Sequence, residues 1–78
     1  MNRKEAVELF VSVWKLEFGN EWVQFSESVD FKHRVWGGQP ELYREYGIID
    51  MIDDGVMEQL DPSTEYVRVK QSEPVSIK

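Results

Sequence analysis

Apolar residues recur at three- and four-residue steps from the start of the chain. Val7, Phe10, Val11, Trp14 and Phe18 share one helical face, and Ala6, Leu9, Val13 and Leu16 widen it. Nine of the fourteen residues from 5 to 18 are apolar, and of the other five Glu5, Glu8, Ser12 and Lys15 make a narrow polar stripe. A helix apolar over most of its circumference must be covered over most of it, by the rest of the chain or by a second molecule. Asn2 and Glu5 make a capping-box pair ahead of the run, and Gly19 stands where a helix stops. The pattern predicts a helix over 3–18.

The period then changes. Trp22, Phe25 and Val29 fit a helical step, while Val23 and Phe25 fit a strand. Residues 29–35 alternate apolar and charged when His33 is counted inward, which is the pattern of a half-buried strand. Residues 22–25 then read as a short preceding strand, with Ser26, Glu27 and Ser28 as a tight hairpin connection. Gly37 and Gly38 turn the chain. Pro40 suits the first position of a helix, where its missing donor costs nothing, and a short helix over 41–46 ends at Gly47.

Ile48, Ile49, Ile52, Val56 and Leu60 share a face and predict an amphipathic helix over 48–60. Gly55 sits inside it at a cost of about 1 kcal/mol relative to Ala. Asp61 and Pro62 end it. Residues 65–70 alternate as a strand, 71–74 turn, and 75–78 read as a short edge strand, because Pro74 cannot donate to a central ladder. The expected fold is α+β in one domain over 1–78. It has an N-terminal amphipathic helix packed on a small antiparallel sheet, with two further short helices. The alternative is a winged helix, three helices and a C-terminal hairpin.

Composition narrows this. Hydrophobic residues make up 41% of the 78 and aromatic residues 13%, which is the make-up of a globular chain. A chain of this length buries only about 60% of the surface its unfolded form exposes. There is no cysteine, so disulfides, thiolate metal sites and cysteine nucleophiles are excluded. The basic start and apolar helix resemble a leader peptide, but Glu5, Glu8, Lys15 and Glu17 interrupt the run, and it is too short to span a bilayer. The expectation is a cytoplasmic protein with no membrane partner.

Net charge is −6, and it is concentrated. Residues 41–65 hold eight acids against one base, Arg44. Such a chain is expected to bind no nucleic acid directly, since phosphate contacts would be repulsive. A protein with a basic surface is the matched partner. Asp50, Asp53, Asp54, Glu58 and Asp61 are the candidate partner-binding residues. Asp50, Asp54, Glu58 and Asp61 fall at helical steps with nothing basic interleaved, an arrangement that repels by a few tenths of a kcal/mol per pair, roughly. Plain solubility would also account for them.

Chemistry beyond binding finds little support. Residues 50–61 resemble a calcium loop of the EF-hand type, with Asp50, Asp54, Gly55 and Glu58 in register. Ile52 stands where an oxygen ligand belongs, Asp61 replaces the long glutamate, and Pro62 breaks the exit helix. His33 is the only histidine and has no second His or Cys to share a metal. Gly37 and Gly38 lack a phosphate-loop pattern, and no serine lies in a nucleophile motif. No catalytic residue, metal or cofactor is expected, and the chain is expected not to be an enzyme. The function expected is that of an acidic inhibitor or modulator of a nucleic-acid-handling protein, mimicking nucleic acid. In size and charge alone, the chain resembles the small acidic proteins that mobile elements often encode. The alternative is a small structural subunit that forms a homodimer through helix 1.

Overall fold

The computed structural model describes residues 2–62 and 65–70, with only the backbone at position 43. The turn expected over 71–74 and the edge strand expected over 75–78 lie outside the described residues. The elements are α1 (Arg3–Glu17), β1 (Val23–Gln24), α2 (Phe25–Val35), α3 (Pro40–Glu45), α4 (Ile48–Asp53), β2 (Met57–Gln59) and β3 (Tyr66–Val69). The strands form one antiparallel sheet in the order β1-β3-β2. The fold is α+β, as expected, with a small three-stranded antiparallel sheet and three helices besides α1 among the described residues.

The first helix forms as its sequence dictates. Asn2 Oδ1 accepts the Glu5 N–H at 2.8 Å, and Glu5 Oε1 accepts the Asn2 N–H at 3.3 Å, so two of the otherwise unpaired first-turn donors are satisfied. Phe18 caps the far end, and Gly19 follows at φ 62°, a conformation natural to glycine. Ala6, Phe10 and Trp14 are fully buried. Phe10, Trp14, Phe18 and Phe31 pack ring to ring, with centroids 4.6–5.5 Å apart. Trp36 joins them through Phe10, and its Nε1 donates to the Ala6 carbonyl at 3.0 Å. The Trp14 N–H is buried without a hydrogen-bond partner among the described residues. Val23, Met57, Val67 and Val69 close the core from the sheet.

The strand expected over 29–35 is a helix, and Ser26, Glu27 and Ser28 are its first turn, not a hairpin connection. The reason lies in Ser28 and Lys32. Phe25, Ser28, Val29, Lys32, Val35 and Trp36 recur at three- and four-residue steps and face inward, but two of the six are polar, which hides the helical period. Ser28 is admitted because its hydroxyl donates back to the Phe25 carbonyl at 2.6 Å. Lys32 is admitted because its aliphatic stem packs inward and its Nζ reaches the Tyr46 carbonyl at 3.4 Å. His33, expected inward on a strand, is exposed on α2, and Lys32, expected outward, is buried beside Phe31. The strand expected over 22–25 shrinks to β1, with Phe25 beginning α2.

The amphipathic helix expected over 48–60 stops after six residues. Gly55, at φ 84°, lets the chain reverse out of the helix. The segment after it joins the sheet: Met57 pairs with Val69, Glu58 with Arg68 and Gln59 with Val67. Cross-strand pairing of Met57, Val67 and Val69 buries more apolar surface than about two further turns of exposed acidic helix could.

Candidate partner-binding site

The acids expected to line one helical stripe are divided between two elements and a connection. Asp50 and Asp53 lie on α4, Asp54 caps its end, Glu58 lies on β2, and Asp61 lies in the β2–β3 connection. All but Glu58 are exposed. The expectation that nothing basic relieves them is corrected by the fold. Arg68 Nε meets Glu58 Oε2 at 2.8 Å across the hairpin. The same guanidinium lies 4.1 Å above the Trp22 ring and donates through Nη1 to the Asn20 carbonyl at 3.0 Å. Glu58 therefore belongs to a hairpin clamp.

Asp50 and Asp54 are also engaged. Asp50 Oδ2 accepts the Gly47 N–H at 2.9 Å, which satisfies a donor at the α4 start and places negative charge at the positive end of the helix. Asp54 Oδ2 accepts the Tyr46 hydroxyl at 2.6 Å, fastening the end of α4 to the α3–α4 junction. Tyr46 sits beneath the Arg3 guanidinium, 4.6 Å from its ring centroid, and stacks on Trp36. Burial, then the bond to Asp54 and the charge of that carboxylate, push the phenol up to about 12. Lys32 lies on the same junction. Burial lowers its pKa, and the negative charge of Asp50 acts against that shift.

Asp53 differs from its neighbours. It is exposed, and its side chain makes no hydrogen bond or ion pair among the described residues. One turn before it on the same face stands Ile49, which is 54% exposed. Ile49 was expected on the buried face with Ile48 and Ile52. Ile48 and Met51 fill that place instead, and the six-residue helix turns Ile49 to solvent among Asp50, Asp53 and Asp54. Residues 50–61 are helix, turn and strand and not one calcium-type loop. Among the described residues no group of three or more His, Asp or Glu side chains could hold a metal ion, and no helix is long and apolar enough to cross a membrane.

Sequence reasoning missed Tyr46, Lys32, Arg68 and Ile49. The Glu58–Arg68 pair was within reach: once Gly55 is read as a turn, residues 56–60 fall opposite 66–70. The Tyr46 contact had no local signal, since it depends on the angle between two short helices. Compared with known proteins, the chain matches no family model, no curated protein and no solved structure.

Proposed function

We propose that the chain is a non-enzymatic protein-binding module that uses α4 to contact a basic surface on a nucleic-acid-handling protein and so modulates it. The observation that carries this reading is Ile49, half exposed one turn before the exposed Asp53 on a helix that also bears Asp50 and ends at Asp54. An apolar anchor inside a charged rim is the usual anatomy of a binding hot spot. The Asp53 side chain makes no hydrogen bond or ion pair among the described residues, and it stands in line with that anchor. Carboxylates in a rim steer a cationic partner and keep phosphate away.

The test is affinity capture from the host lysate with three baits: wild type, Ile49→Asp and Asp53→Lys. The expected result is a basic protein retained by wild type, lost from both variants, and released by added DNA. Retention by all three baits, or failure of DNA to compete, would overturn the assignment.

A further inference from the structure

The outer side of α1 carries a second apolar line, separate from the core. Leu9, Val13 and Leu16 follow one another at steps of four and three. Leu16 is 88% exposed and Leu9 38%, while Val13 is half-buried against the core. Leucine at that exposure is ordinary when isolated, but these three are contiguous on one helix. The helix is otherwise complete: its core side, Ala6, Phe10 and Trp14, is covered by its own chain.

Charge decides what fits this line. Glu8 and Lys15 flank it, seven residues apart and so on nearly one line of the helix. Both are exposed, and neither makes a hydrogen bond or ion pair through its side chain among the described residues. The other nearby acids are engaged, Glu5 in the capping box and Glu17 with Arg34 at 3.2 Å. A second copy laid antiparallel across the line sets Leu9 against Leu16 of its partner. It also sets Glu8 beside Lys15 of its partner, twice over by symmetry. Ser12, small and exposed, falls at the axis and permits close approach. Opposed helix dipoles favour the same sense.

We infer that α1 forms an antiparallel, two-fold homodimer seam through Leu9, Val13 and Leu16, with its direction set by reciprocal Glu8–Lys15 pairs. The seam is small, so the dimer is concentration-dependent. It does not depend on the reading of α4.

Sedimentation equilibrium of the full chain tests it, from about 1 μM to about 1 mM. Wild type should rise from 9.2 kDa toward twice that mass. Leu16→Glu, at an exposed position, should stay folded by circular dichroism and remain at 9.2 kDa throughout. Glu8→Lys and Lys15→Glu should each weaken association about tenfold or more, and the double variant should restore it. A wild type that stays monomeric at every concentration overturns the seam, and so does a Leu16→Glu variant that dimerises like wild type. Failure of the double variant to recover overturns the antiparallel sense.

Discussion

The Tyr46 hydroxyl donates a 2.6 Å hydrogen bond to Asp54, so an acid that sequence assigned to a partner is also a fastening of the fold. Tyr46→Phe keeps the ring on Trp36 and removes only this bond. A loss of about 1 kcal/mol at neutral pH is expected from denaturant unfolding. The pH dependence follows from the phenol. An unfolded tyrosine ionises near 10, and the folded one at about 12. Between these values the folded state keeps a proton that the unfolded state has released, so stability falls as pH rises from about 10 to about 12. Below that window the contribution is fully present. The variant should lack this share of the alkaline decline.

Phe10 and Trp14 are fully buried in the ring cluster, whereas Leu16 on the same helix is almost fully exposed. Phe10→Ala or Trp14→Ala should cost about 3–5 kcal/mol, most of what a chain this short possesses. Leu16→Ala should change monomer stability by less than about 0.5 kcal/mol. Thermal melts of the three variants at a concentration low enough to exclude association give the comparison.

Arg68 does three things and Glu58 one. Glu58→Gln removes the charge of a partly exposed pair and should cost about 0.5 kcal/mol. Arg68→Ala also loses the stack on Trp22 and the bond to Asn20, and should cost about 1–2 kcal/mol. Added salt should narrow the deficit of Glu58→Gln more than that of Arg68→Ala, because stacking is not screened. Equal losses with equal salt response would mean that only the ion pair matters.

Asp53 separates binding from folding where its neighbours cannot. Asp53→Asn should leave the melting temperature unchanged, and Asp54→Ala should lower stability by about 1 kcal/mol. Under the proposed function Asp53→Asn should still slow association with the basic partner, and the slowing should fade at high salt. Surface plasmon resonance at two ionic strengths, alongside calorimetry, reads both quantities.

Legibility in the sequence followed how local the deciding physics is. The first helix was readable because Asn2, Glu5 and Gly19 mark its ends and nine apolar residues mark its face. Pro40 and Gly47 bracket the third helix in the same local way, and the alternation from Tyr66 to Val69 marks the last strand. The second helix was misread because Lys32 is buried only by virtue of the Tyr46 carbonyl, fourteen residues away. The 48–60 segment was misread because Gly55 was treated as a tolerable blemish, while β3 offered the residues after it a better partner. The acidic site inherited that error. Asp54 and Glu58 have partners that only the folded chain brings near, Tyr46 and Arg68, while Asp50 caps the start of its own helix at Gly47.

The strand order β1-β3-β2 gives the middle place to the strand that comes last in the chain among the described residues. On a ribosome, Val23–Gln24 and Met57–Gln59 emerge as edges with nothing between them until residues 66–69 follow. Helices can form as they appear, but the sheet is assembled in a single event once residues 66–69 have emerged, because both of its pairings need the same strand. A nascent chain halted before Tyr66 should therefore expose Val23 and Met57, and be open to proteolysis and to chaperones. The complete domain, once the central strand docks, should close to both at one step.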